Sequence, residues 1–241
     1  MLPFGYRDPQ RAAKVAINLL CANYLLSSHI LNPSAMNIIN LSEQNSVLNN
    51  FIGELRDVNI QKDSMRFRRN LERIGEIFAY EISKQLKYEK KEVQTPLGIA
   101  EVNVVADELV IGTVLRAGLP LHNGILNIFD KAQNCFMASY RKCGKDNKFT
   151  IQLEYVSSPS IDGKVLVLAD SMPATGSTIV LAYQRLKEEG DAKHTHIVCP
   201  VASREGIEYL SKNLPHRSVT MWVGAIDEEL TNKSYIVPGL G

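Results

Sequence analysis

The stretch Lys164 to Thr178, KVLVLADSMPATGST, decides how the rest of the chain is read. Its apolar run Val165-Leu166-Val167-Leu168-Ala169 fits a strand buried on both faces, as in a parallel sheet covered by helices. The run stops at one carboxylate, Asp170. Ser171, Met172 and Pro173 follow, then small, hydroxyl-bearing or backbone-permissive residues: Ala174, Thr175, Gly176, Ser177 and Thr178. Beyond them Ile179, Leu181, Ala182 and Leu186 fall at helical spacing, and the pattern closes at Lys187-Glu188-Glu189-Gly190. The order is strand, acid, hydroxyl-rich loop, helix. Backbone N–H groups and hydroxyls thereby gather at a helix N-terminus, where free donors and the helix dipole favour a phosphate. Asp170 sits at the carboxyl end of a strand, where ligands bind in open α/β sheets. An ordinary strand-to-helix turn with a Ser or Thr cap fits this stretch about equally well. Two other phosphate motifs are excluded. No Gly-Lys-Ser/Thr follows four residues after a Gly, as the nucleoside-triphosphate P-loop requires. A single Gly is too few for the dinucleotide fingerprint.

Strands and helices alternate on both sides of this stretch. Leu109 to Leu115 is another buried strand, ending at Arg116-Ala117-Gly118 before a helix through Leu126 and Phe129. A turn with a guanidinium beside it suits a pyrophosphate, because Arg meets phosphate oxygens bidentately. Asn134 to Tyr140 reads as a strand ending at Arg141. The polar Cys143 to Asn147 and the alternating Phe149 to Val156 then suggest a hairpin or mobile flap. His196 to Ala202 is a strand, with Ser203 capping a helix from Arg204 to Lys212. Val219 to Asp227 is the last buried strand. This rhythm argues for an α/β fold: a central, mainly parallel sheet flanked by helices, with a small hood or flap. Right-handed crossovers bring the loops after consecutive strands to one edge.

Nearer the N-terminus, Val47, Leu48, Phe51, Ile52 and Leu55 form one helical face, and a longer helix spans about Asp63 to Leu86. That helix starts with Arg66, Arg68, Arg69 and Arg73. Interleaved acids favour a solvated face over a site for an anionic effector or partner. Val93-Gln94-Thr95 and Ile99 to Val102 flank Pro96-Leu97-Gly98 as a hairpin. The final Tyr235-Ile-Val-Pro-Gly-Leu-Gly241 reads as a tight loop that presents backbone groups to a flat ligand.

The 241 residues suffice for one large domain with or without an appendage, and a net charge of +1 gives no global reason for a nucleic-acid or membrane partner. The four cysteines, Cys21, Cys135, Cys143 and Cys199, form no Cys-x-x-Cys pair, so reduced thiols in a cytoplasmic protein are expected and a metal cluster is not. Residues 1 to 35 differ from the rest. Arg7, Arg11 and Lys14 precede an apolar stretch broken by polar residues, which argues against a spanning helix. Translation is expected to start at Met36, with 1 to 35 read through from upstream. Mass spectrometry of the native N-terminus decides that point.

Taken together, Thr95-Pro-Leu-Gly98, Val114-Leu-Arg-Ala-Gly118, Tyr140-Arg141, Asp170 to Thr178, Ala225-Ile-Asp-Glu228 and Tyr235 to Gly241 resemble uracil phosphoribosyltransferase. The resemblance runs from about Met36 to Gly241. The motif at Asp170 marks the wider type I phosphoribosyltransferases; the final motif makes the match specific. It implies that uracil and phosphoribosyl pyrophosphate (PRPP) give UMP and diphosphate, as in pyrimidine salvage. It implies that Arg116 and Arg141 contact the pyrophosphate and that Asp170 holds the ribose hydroxyls, these three being the catalytic candidates. By the same resemblance Ser171, Met172 and Pro173 are expected in the PRPP site, Ala174, Thr175, Gly176, Ser177 and Thr178 are expected to hold the 5′-phosphate, and main-chain groups of Ile236 and Gly241 are expected to read uracil. Mg2+ is carried mainly by PRPP rather than by a protein metal site, some members are activated by GTP, and the family forms homo-oligomers.

The chain departs from the family pattern in three places. Ser171 and Pro173 stand where Pro and Leu are usual, and Ala169 leaves Asp170 as the one acid. The sequence stops at Gly241, where the family continues Asp-Ala-Gly-Asp. If the chain ends there activity is expected to fall; if it continues, nothing follows. A PRPP- or nucleotide-binding regulator without turnover is the rival reading.

Overall fold

A computed structural model describes residues 35–143 and 149–240, with the backbone alone described at 140–143 and 149–152. The expected N-terminal extension up to residue 34, the centre of the expected flap and Gly241 lie outside the described residues. The chain order is β1 (Asn37–Asn40), α1 (Val47–Arg56), α2 (Ser64–Ser83), β2 (Tyr88–Thr95), β3 (Gly98–Val105), β4 (Leu109–Leu115), α3 (Leu119–Ile128), β5 (Gln133–Cys143) and β6 (Phe149–Ser157). It continues with β7 (Val165–Ala169), α4 (Ser177–Leu186), β8 (His194–Ser203), α5 (Arg204–Asn213), β9 (Val219–Asp227), β10 (Glu229–Leu230) and β11 (Ile236–Val237).

One seven-stranded sheet has the order β1-β9-β8-β7-β4-β5-β6. Every neighbouring pair is parallel except β5 with β6. From β4 the chain moves through α3 to β5 on one side. It returns at β7 on the other side and steps outward through α4, β8, α5 and β9. The strand order therefore reverses between β4 and β7, the place where an open α/β sheet leaves a crevice.

The alternation of side chains along each strand explains the layers. On β7, Val165, Val167 and Ala169 join the core under α1, α2 and α3, while Leu166 and Leu168 join the core under α4 and α5. A strand apolar on both faces needs helices on both sides, as the run Val165–Ala169 implied. The mainly parallel α/β architecture expected from sequence is the one observed.

Several boundaries differ from the sequence reading. The first strand, β1, and the small β10–β11 ladder were not foreseen; Val219–Asp227 remains the last strand of the main sheet. The β2–β3 hairpin is longer than expected, pairing from Thr95–Gly98 out to Tyr88–Val105. Strand β5 passes through Arg141 to Cys143 instead of ending there, because its antiparallel pairing with β6 carries the ladder onward. The long helix stops at Ser83 rather than Leu86, and Asp63 is its cap, accepting from the N–H groups of Met65 and Arg66 at 3.0 Å.

Candidate active site

Two loops leave neighbouring strand ends at the switch point. After β4 the chain runs Arg116-Ala117-Gly118 into α3, and after β7 it runs Asp170-Ser171-Met172-Pro173 towards α4. The two ends are tied where buried Thr113 Oγ1 donates to the Ala169 carbonyl at 3.1 Å. Beside them lies a cavity of about 760 Å³, lined among others by Arg116, Ala117, Ser171, Met172, Leu240 of the tail and Arg68 of α2. This is the size of a small-molecule site. The lining holds two guanidinium groups and no carboxylate.

Asp170 follows directly on the buried strand. Desolvation pushes its carboxyl above the usual carboxylate range, opposed by the N–H groups of Met172 and Ser171 and by the Ser171 hydroxyl. Burial also pushes the Cys199 thiol well up, with the nearby Asp170 carboxylate adding to the effect. Cys135 and Cys199 are free and buried, so as neutral thiols neither serves as a nucleophile.

The phosphate-loop candidates lie at the start of α4. Ser177 and Thr178 are already in its first turn, so the loop proper is shorter than the sequence suggested. Gly176 stands at the N-cap with φ 72° and supplies no side-chain cap, which leaves the first-turn N–H groups available to an anion. The Thr175 and Ser177 hydroxyls are 2.8 Å apart. The loop is seated on the start of α5. Ser203 Oγ donates to the Ala174 carbonyl at 2.5 Å and accepts from the Gly206 N–H at 2.8 Å. A Cβ on Gly206 would lie 2.4 Å from the Pro173 carbonyl oxygen, so the contact requires glycine.

The tail is held by a clamp that sequence reasoning missed. Arg56, at the end of α1, donates to both Asp227 carboxylate oxygens at 2.9 Å and to the Gly239 carbonyl at 3.1 Å. The Gly239 N–H returns to Asp227 at 2.9 Å. Ile236 is buried in β11, opposite Leu230. Of the expected site residues, Arg116, Ser171 and Met172 come together around the cavity, and Leu240 brings the tail to it. Arg141 lies on β5 opposite Ile151, but its side chain and Gly241 are outside the described residues.

The family model for uracil phosphoribosyltransferase matches residues 42–241. The chain belongs to the uracil phosphoribosyltransferase family. It is 48% identical to the uracil phosphoribosyltransferase of Porphyromonas gingivalis over 206 residues, covering 86% of this chain and 95% of that protein. The Pyrococcus furiosus uracil phosphoribosyltransferase is 37% identical over 202 residues, covering 83% and 84% respectively. Among solved structures, the AQ2163 protein from Aquifex aeolicus superposes with a TM-score of 0.74 at 28% identity, covering 85% of this chain and 94% of that one. Family membership makes the chain a pentosyltransferase, and the fold expected from the resemblance is the observed one.

The Ser171 departure from the family pattern has a visible consequence. Its hydroxyl supplies one of the hydrogen bonds that offset the burial of Asp170. Among the described residues, no group of three or more His, Cys, Asp or Glu is placed to hold a metal ion. The cavity lining itself offers the Ser171 hydroxyl and no carboxylate, with Asp170 one residue behind it, a donor set that fits an ion carried mainly by substrate oxygens. Among the described residues, no helix is long and apolar enough to cross a membrane.

Proposed function

We propose that the enzyme transfers the phosphoribosyl group of PRPP to N1 of uracil in the cavity between β4 and β7, releasing diphosphate. The observation that carries this is the placement of Arg116 and the Asp170 loop on either side of the sheet's switch point, around a cavity without carboxylates. Uracil N1 forms a bond to the anomeric carbon as the bond to the pyrophosphate oxygen breaks, and the N1 proton leaves to solvent. Negative charge grows on the leaving group and positive character on the sugar. Catalysis by fixed charges and positioning suits such a step.

In this reading Arg116 and Arg141 hold the pyrophosphate. The N–H and hydroxyl groups from Ala174 to Thr178 hold the 5′-phosphate. The Asp170 carboxylate accepts from the ribose hydroxyls and faces the developing cation. The main chain of Ile236 and Gly241 reads the uracil edge, with the Arg56–Asp227 clamp fixing the loop between them. PRPP would carry Mg2+ on its own oxygens, with Asp170 the protein carboxylate available to it, and the ion would supply positive charge to offset that of the leaving group.

The same reading includes residues 36–241 as the catalytic domain, which the burial of Met36 and the family match from residue 42 support. It also includes a cytoplasmic location, a homo-oligomer and activation by GTP. The decisive experiment is UMP formation from uracil, PRPP and Mg2+, with and without GTP. Turnover with uracil but not with hypoxanthine, guanine or orotate is expected. PRPP binding without turnover would favour the regulator instead.

A further inference from the structure

The arginines that open α2 have different surroundings. Arg66 pairs with Glu54 at 3.0 Å. Arg69 pairs with Glu72 at 2.7 Å and with Glu76 at 3.4 Å. Arg73 donates to Asn70 at 3.1 Å and lies over the Phe51 ring. Arg68 has no ion pair, hydrogen bond or ring contact among the described residues, and it lines the cavity. Helical spacing explains the difference. Arg68 and Phe67 sit three and four residues before Leu71, on one face of the helix, and all three border the cavity. The helix beneath is rigidly placed: Asp63 caps it, and Leu71, Ile74 and Phe78 are buried. Arg116 is likewise without a side-chain partner among the described residues.

We propose that Arg68 is a further substrate-binding residue, which together with Arg116 holds the diphosphate of PRPP. Two unpaired guanidinium groups around one cavity without a carboxylate repel each other until a polyanion lies between them. The cavity lining includes Ser171 and Met172 but no residue from Ala174 to Thr178. The anion that fits there is therefore the diphosphate end, not the 5′-phosphate assigned to the start of α4. Arg68 then acts on the group whose charge rises as the glycosidic bond to it breaks, and it reaches that group from a helix outside the sheet's own loops. This assignment rests on the transferase reading above.

The test uses the full chain with Arg68→Met, Arg68→Lys and, as a surface-charge control, Arg69→Met. Inorganic pyrophosphate binding is measured by calorimetry, and the KM values for PRPP and uracil by UMP formation. Arg68→Met is expected to weaken pyrophosphate binding and raise the PRPP KM by about ten- to hundredfold, as the loss of a charge-assisted contact would. The uracil KM and the melting temperature should stay near wild type, Lys should restore part of the loss, and Arg69→Met should change neither constant. Arg68→Met values within about twofold of wild type, or equal shifts for Arg68→Met and Arg69→Met, overturn the assignment. If the wild-type chain makes UMP and binds pyrophosphate while Arg68→Met matches it, only the Arg68 role fails. If the wild type does neither, the transferase reading falls and takes the Arg68 role with it.

Discussion

Burial raises the affinity of Asp170 for a proton, while two N–H groups and the Ser171 hydroxyl pull the other way. The net shift is upward, so the folded state binds this proton more tightly than the unfolded chain does. The stabilising contribution of the neutral form is complete below the ordinary value of 3.8 and is lost as pH rises through the folded value. Asp170→Asn should therefore raise the melting temperature at pH 7, and the gain should vanish in strong acid. In the proposed mechanism the same change should cut kcat by roughly a hundredfold or more, because it removes the charge assigned there to the developing cation. Thermal melts at both pH values and a rate assay check the pair. A mutant that is neither more stable nor slower means that the carboxylate is not held against its own solvation. Thr175→Val tests the phosphate loop separately: the PRPP KM should rise about tenfold for the loss of one donor, with the uracil KM unchanged. The positions of Asp170 and Arg116 at strand ends were legible in the sequence because each follows an apolar run. That Arg68 borders the cavity was not, since a run of arginines with interleaved acids looks the same whichever of them faces a cavity.

Helix α5 does more than cover the sheet. Its N-cap Ser203 is the seat of the candidate phosphate loop, through the Ala174 carbonyl. Ser203→Ala should lower stability by about 1–2 kcal/mol, the loss of a good cap, and should also raise the PRPP KM by loosening the loop. Denaturant melts and kinetics on the same mutant separate the two effects. A stability loss with unchanged PRPP affinity would show that the loop keeps its shape without this seat. The cap itself was readable, because a Ser before Arg204-Glu205-Gly206 is a local signal. Its second partner, 29 residues away, was not. The clamp from Arg56 to Asp227 spans 171 residues and has no sequence signature at all. Asp227 is buried and Arg56 only partly exposed, so Asp227→Ala should cost about 2–4 kcal/mol, less than a wholly buried pair. It should also release Gly239 and raise the uracil KM more than the PRPP KM. The strand β1 escaped notice because four residues, Asn37–Asn40, with one apolar pair give no usable period. Its pairing with β9 comes from tertiary context.

Across the whole molecule, the two ends of the sheet behave differently towards acid. At the end opposite the site, buried His196 accepts at Nδ1 from Trp222 Nε1 at 3.1 Å, which requires a neutral ring. Burial, with His194 adding to it, lowers its pKa to about 3 from an ordinary 6.5. The stability this provides is full above 6.5 and is lost as pH falls towards 3. His196→Phe should therefore flatten the acid limb of the stability profile over that window. An unchanged limb would assign acid unfolding to the carboxylates instead. The β2–β3 hairpin is the other global feature. Its strands pair only with each other, although a lone two-stranded hairpin is marginal in water. It is nevertheless rich in exposed apolar residues: Leu97 is fully exposed, Ile99 is 68% exposed, and Val93, Val102 and Val105 are exposed as well. Glu89, Lys90, Lys91, Glu92 and Glu101 mix both signs along it, a pattern that a second copy of the hairpin can complement. Such an arm is expected to be covered by a second copy of the chain, which is the contact that would build the homo-oligomer. Sedimentation of the wild type should show a dimer or larger species, and Leu97→Asp with Ile99→Asp should shift it to monomer. The hairpin pairing of Thr95 with Gly98 should survive the change, since neither substitution touches the turn's hydrogen bonds, in which Thr95 Oγ1 donates to the Gly98 carbonyl and accepts from the Gly98 N–H. A wild-type monomer leaves the arm without this role, and an oligomer indifferent to both charges places the assembly contact elsewhere.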